Sequence, residues 1–335
     1  MAAHSIRCVI FFLTTGFLFS ACAAHYPLRA CPGGFNASFV QMAQRELHHD
    51  LSDWKNDLKL LRSVGIQTIV LQYSGDEHGA YDNQVKGSKP IRSLLEAAQE
   101  LDVSVLLGLY RDPNWLQSFA IDAKSSPPLD QPSEMKALVE LCNAFRSCVG
   151  WLIPQPIDEH TWKSSARTQE LRSFLGRTSQ RLRDLTPNKP IAIAAFYTGE
   201  PDPQAHTEWW SQILADRPVD MLLFQDGVGT GRGTAESAQR LLAALWPVTD
   251  NLGITLWAMV EVFHQIYGPP LNNLPFEAVP ASLENIIHSI ELERSTGARL
   301  IVFTYLDYMD PAMGPVSARL HRGYAEWCEQ ELEQK

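Results

Sequence analysis

Strand-like and helix-like patterns alternate along this chain from end to end, and that rhythm is what most limits the folds open to it. Eight strand-like runs fall at residues 34–41, 67–73, 103–110, 149–153, 190–196, 219–224, 253–261 and 299–305. Most are continuous apolar runs, such as Ile69-Val70-Leu71 and Leu222-Leu223-Phe224, as strands covered on both faces should be. Between them lie amphipathic stretches at 51–64, 91–101, 134–147, 165–185 and 235–245, and a last one at 316–332. In the first of these Leu51, Trp54, Leu58, Leu61 and Val64 recur at helical spacing. Strands that alternate with helices in this way form a parallel sheet with crossover helices. No Pro/Gly/Ser-rich linker or charge run interrupts the series. The expected fold class is α/β, a single (β/α)₈ TIM barrel; a doubly wound open sheet is the alternative.

The length of 335 residues suits one large barrel once an N-terminal segment is set aside. Arg7 precedes the apolar run from Cys8 to Phe19, and small residues follow, the three-part layout of a secretory signal. Residues 1–22 are therefore expected to be a signal peptide, and residues 23–335 the barrel. Phe19-Ser20-Ala21-Cys22 resembles a lipobox in which Cys22 becomes lipidated, while Ala21-Cys22-Ala23 also fits ordinary signal cleavage. The expectation is an exported protein, periplasmic or held at the outer membrane by a lipid anchor, with free secretion as the lesser alternative. The net charge of -10 argues against nucleic acid as a partner, because such surfaces need clustered Lys and Arg.

Export permits disulfides, and the barrel would carry Cys31, Cys142, Cys148 and Cys328. Three pairings are open. In a closed barrel the first strand neighbours the last helix, so Cys31 and Cys328 are candidates for a bridge. Cys142 and Cys148, at the end of a helix, read as small buried residues.

In such barrels function gathers at the C-terminal ends of the strands. The seventh strand alternates strictly: Ile254, Leu256, Ala258 and Val260 form the set facing the helices, and Thr255, Trp257, Met259 and Glu261 point inward. Glu261 then sits at the open end, and a buried carboxylate without a reason is costly. The sixth strand runs through Gln225 and Asp226 into the glycine-rich stretch Gly227-Val-Gly229-Thr-Gly231-Arg-Gly233. Its spacing does not match a dinucleotide loop. Asp226 serves as an acid, a base or a hydroxyl acceptor, or else caps the loop. Gln72, Tyr73, Tyr110, Trp151, Tyr197, Gln225, Trp257 and Tyr305 lie in or near strand ends. Rings there can stack on the flat faces of sugars while amides meet hydroxyls. No His-Glu-x-x-His, paired-Cys zinc spacing or Gly-x-Ser-x-Gly elbow is present, so no metal and no cofactor are expected.

Taken in order, several segments resemble bacterial proteins with the DUF4434 domain, a glycoside-hydrolase-like barrel. They are Ser38-Phe-Val-Gln41, Trp54 with Gly65-Ile66, Leu71-Gln-Tyr-Ser74, Leu107-Gly-Leu109, Gly150-Trp-Leu-Ile-Pro154, Phe224-Gln-Asp-Gly-Val-Gly229, and Leu256-Trp257 through Glu261. The resemblance implies an acid/base after strand four and a nucleophile after strand seven. Glu261 matches the second. Where the resemblance places a Glu two residues beyond the Ile-Pro pair, this sequence has Pro156. The leading expectation is a cell-envelope glycoside hydrolase acting on a polysaccharide or oligosaccharide, with Glu261 as nucleophile or base and Asp226 or Asp158 as acid. The alternatives are a carbohydrate-binding barrel without turnover, and a structural lipoprotein of a polysaccharide-export or wall assembly. Oligomeric state is left open.

Overall fold

The structure is a computed structural model that describes residues 31–76, 79–84, 89–111, 132–195, 202–268 and 274–334. The signal-like segment, Cys22 and Tyr197 lie outside the described residues. Eight strands close into a barrel: β1 (Ala37–Val40), β2 (Thr68–Leu71), β3 (Ser104–Gly108), β4 (Cys148–Ile157), β5 (Ile191–Ala195), β6 (Met221–Gln225), β7 (Thr255–Glu261) and β8 (Arg299–Phe303). Each pairs in parallel with its neighbours, and β1 closes onto β8. This is a TIM barrel.

Eight helices complete the units: α1 (Leu51–Ser63), α2 (Pro90–Glu100), α3 (Pro132–Ala144), α4 (Ser165–Leu185), α5 (Pro203–Leu214), α6 (Ala235–Leu252), α7 (Leu283–Arg294) and α8 (Pro315–Glu333). Their starts are specified locally. Asp50 caps α1 and Thr234 caps α6, each in a reciprocal capping box, and Ser164, Asp202 and Ser282 cap α4, α5 and α7. Gly253 ends α6 at φ +65°, a left-handed conformation that a side chain would strain, and so aims the chain into β7.

The amphipathic pattern leaves out α5 and α7. The buried stripe of α7 is Ile286, Ser289, Ile290 and Glu293, half of it polar, and that of α5 includes His206. Polar residues on the inner face hide a helical period from a reading based on apolar spacing.

Two apolar cores result. One fills the barrel, with Phe39, Val70, Leu152, Leu223, Met259 and Ile301 among its members. The other lies between strands and helices, and there Leu256, Ala258 and Val260 of β7 are buried. The side chains of β7 divide between the two as the alternation predicts. Strand β4 runs beyond its expected end, through Pro154 and Pro156. Neither has an N–H to donate, and the pairing with β5 jumps from Ile153–Ile193 to Ile157–Ala195.

Cys31 is bonded to Cys328, tying the entry of β1 to α8, with Cα atoms 4.8 Å apart. Cys142 and Cys148 are also bonded to each other, which corrects their reading as unpaired apolar residues. The turn between α3 and β4 brings their Cα atoms to 5.2 Å, within disulfide range.

Candidate functional site

A cavity of about 220 Å³ opens at the C-terminal end of the barrel. Alternation along the strands decides what faces it. Phe39 points into the barrel, so Gln41, two residues on, does too, and the Gln41 amide donates to Gln72 Oε1 at 2.6 Å. Gln225 enters from β6, Tyr73 and Arg111 from the loops after β2 and β3, and Pro154 and Pro156 from the irregular end of β4. Met259 and Phe303 complete the floor. Among the described residues that line the cavity none is a carboxylate.

The acids lie behind this wall. Glu261 ends β7 at the cavity level, yet it is only 3% exposed. The Gln225 amide donates to its Oε1, and the Thr230 N–H donates to Oε2 at 2.8 Å. The 227–233 loop covers it because Gly229 has no side chain: a Cβ there would stand 2.8 Å from Glu261 Cβ and 2.6 Å from the Phe263 carbonyl oxygen. Burial raises the Glu261 carboxyl above its usual range, against the opposing pull of Gln225, the Thr230 N–H and the nearby Arg232 guanidinium.

Asp226, one residue beyond Gln225, turns away from the barrel interior and is fully buried. Its carboxyl accepts the N–H of Val228 at 3.1 Å and that of Glu261 at 3.3 Å, joining the ends of β6 and β7. It lies against the carboxyl of Glu293 on α7. With both groups ionised, neither Glu293 oxygen would find a donor. The pair is therefore favoured in a protonated form. Burial, the Glu293 charge and the Glu261 charge push Asp226 well above the ordinary carboxylate range, and burial pushes Glu293 up to about 8.

Asp158 follows β4 and caps the short helix Glu159–Trp162, accepting the Thr161 N–H at 2.6 Å. It is buried and does not reach the cavity. Thus Glu261, Asp226 and Asp158 do not face one another across open space.

The expected sugar-stacking set separates in the same way. Gln72, Tyr73 and Gln225 line the cavity. Tyr110 does not; its side chain packs toward Gly75 and its carbonyl accepts from Gln155 at 3.2 Å, while the next residue, Arg111, reaches the opening. Trp151 points outward, wholly buried, and donates to Thr186 Oγ1 at 2.9 Å. Tyr305 is buried against Tyr324 and pairs with His321 Nδ1 at 2.7 Å. Trp257 faces inward as expected but at the N-terminal end, beneath the Arg299 guanidinium at 5.6 Å. It lines an opening there with Asn36, Gln67 and Thr68. Four residues of strand, roughly 13 Å, separate it from Glu261. Trp151, Trp257 and Tyr305 therefore stand away from the cavity.

Arg111 stands among the polar strand-end residues of the sequence and Gln41 in its strand-one segment, but neither they nor Glu293 were expected in the site. The inward register of β1 carries a signal for Gln41, and its place at a strand end carries one for Arg111. Nothing local marks Glu293, a charged residue on the inner face of a helix. Among the described residues no group of three or more His, Cys, Asp or Glu could hold a metal ion.

Beside the cavity the excursion between β7 and α7 exposes Ile266, Tyr267, Leu274, Phe276 and Val279. At its root Phe263 stacks on Tyr308 and touches Phe303 of the cavity floor.

Solved structures similar to this chain are barrels that act on sugars. A Bacteroides thetaiotaomicron VPI-5482 protein assigned as an α-L-fucosidase superposes with a TM-score of 0.70 at 16% identity, covering 88% of this chain and 95% of its own. The endo-β-1,4-mannanase of Thermotoga petrophila gives 0.55 at 13% identity over 89% of this chain and 78% of its own. At such identities the likeness is one of fold. The uncharacterized protein YbcH of Escherichia coli (strain K12) is 26% identical over 200 residues, which is 58% of this chain and 65% of that protein's length. Residues 35–318 match the family described as a domain of unknown function, DUF4434, and the chain belongs to that family.

Proposed function

We propose that this barrel binds a saccharide at its C-terminal mouth and does not hydrolyse it. The cavity offers what a sugar requires: amides from Gln41, Gln72 and Gln225 for hydroxyls, and the rings of Tyr73, Phe39 and Phe303 for apolar faces. The fold shared with barrels that act on fucosides and mannans supports a sugar ligand by analogy. One observation carries the non-hydrolytic reading. Pro156 stands in the cavity wall where an acid would be needed, and both oxygens of Glu261 are engaged by protein donors. Retaining hydrolysis needs two carboxyl groups about 5–5.5 Å apart, and inverting hydrolysis roughly 6.5–9.5 Å, in either case facing the bond to be broken. A proline neither protonates a leaving oxygen nor activates water.

A hydrolase remains the second reading, on the specific ground that Gln225 both lines the cavity and holds Glu261. Rotation of that one side chain would release the Glu261 oxygen that it holds. The cell envelope is the proposed location, on the strength of the signal-like residues 1–22, with a lipid anchor at Cys22; the mass of the mature N-terminal peptide checks both.

The deciding measurement pairs calorimetric titration with a panel of oligosaccharides and assay of reducing ends released from the corresponding polysaccharides. Binding without release, unchanged in Glu261→Gln, is the expected result. Release that vanishes in Glu261→Gln would overturn it and restore the hydrolase.

A further inference from the structure

Arg111 is the only charged side chain among the described residues that line the cavity. Its guanidinium lies 5.0 Å over the ring of Tyr73, which fixes its plane at the opening. Among the described residues no carboxylate pairs with it. Nearby acids are engaged elsewhere. Asp76, close to Tyr73, receives the Tyr81 hydroxyl at 3.2 Å and does not line the cavity. Asp158 caps a helix, and Asp226 and Glu261 are turned into the wall. In a chain of net charge -10, a cavity whose described lining holds one cation, the exposed Arg111, and no acid favours negative charge.

We infer that the saccharide taken by this cavity is anionic, bearing a carboxylate or a sulfate ester that Arg111 receives; the inference rests on the saccharide-binding reading. A guanidinium suits this role, because its forked N–H donors match two oxygens of a carboxylate or sulfate at once, and stacking on Tyr73 leaves those edges free. The amides of Gln41, Gln72 and Gln225 then read the neutral hydroxyls around the charged group.

The test is calorimetric titration of the mature chain and of Arg111→Gln and Arg111→Lys, with three ligands of equal length. These are an oligogalacturonate, a sulfated galactan oligosaccharide and a neutral cello-oligosaccharide, each at low and high salt. The wild type should prefer at least one anionic ligand by roughly tenfold or more, the scale of one charge-assisted hydrogen bond. The preferred ligand tells carboxylate from sulfate. High salt should narrow the preference, Arg111→Gln should abolish it, and Arg111→Lys should keep part of it. Thermal unfolding confirms that each variant is folded. Neutral and anionic ligands bound alike, or a preference that survives Arg111→Gln, would overturn the inference while leaving saccharide binding intact. Failure of all three ligands would overturn both readings.

Discussion

On the cavity side of β6 the side chains are amides, rings and one guanidinium; on its other side, one residue further along the chain, they are acids. Gln225 and Asp226 are consecutive, yet the pleat sends the first into the barrel mouth and the second toward α7. The glutamine stays partly exposed at the cavity while its amide donates to Glu261. The aspartate, with Glu293 and Glu261, forms a dry cluster that needs protonation and several backbone N–H groups to be tolerable. Two carboxylates within reach of a barrel mouth are therefore not by that fact alone a catalytic pair. Their direction and their partners decide whether they meet substrate or hold the wall together.

The contrast breaks most readily at Asp226. Asp226→Ala strands Glu293 and removes the acceptor of two backbone N–H groups, and at about 1–3 kcal/mol for each unsatisfied group it should cost about 4 kcal/mol. Urea unfolding measures this, and a loss near zero would mean that the cluster does not hold β6 to β7.

The second test uses pH. Glu293 is raised from 4.5 to about 8 in the folded state, so the folded protein keeps a proton that the unfolded chain releases. Its contribution to stability is complete below 4.5 and is lost as pH rises towards about 8. Unfolding free energy should fall across that window, and Glu293→Gln, whose amide donates to Asp226 at every pH, should flatten the fall. An equal slope in the variant would assign the pH dependence to other groups.

Gln225 divides the two regions, and Gln225→Met removes the donor to Glu261 while keeping the volume. An expected loss of about 2 kcal/mol in thermal unfolding follows from one unsatisfied buried carboxylate oxygen. On the cavity side the outcome should be reversed. Gln41→Ala should change stability by less than about 0.5 kcal/mol and weaken saccharide binding by about 1 kcal/mol, read by titration calorimetry. Stability lost without affinity would place Gln41 among the structural residues.

Much of this was legible in the sequence because it depends on short periods. Continuous apolar runs such as Ile69-Val70-Leu71 locate the barrel strands, and the two-residue alternation of β7 sends Trp257, Met259 and Glu261 inward. Trp257, four residues before Glu261, also read as deep in its strand, where core packing is the stronger expectation, and only its ring chemistry carried it into the sugar-binding set. Glu293 was illegible because a helix that buries a glutamate has no apolar stripe to reveal the fact. The bond between Cys142 and Cys148 was hidden as well, since it depends on how the chain turns between α3 and β4.

What the amino-acid sequence determined by itself is the eight-fold alternation, the facing of the β7 residues, and the presence of Glu261 at the end of that strand. These follow from local periodicity, which each segment expresses within its own few residues. What only the tertiary structure decided is that Glu261 is covered by the 227–233 loop, that Asp226 meets the carboxyl of a helix residue 67 positions away, and that among the described residues lining the cavity Arg111 stands without a carboxylate. Those outcomes depend on which distant side chains arrive at the same place, and solvation and charge pairing are settled only there.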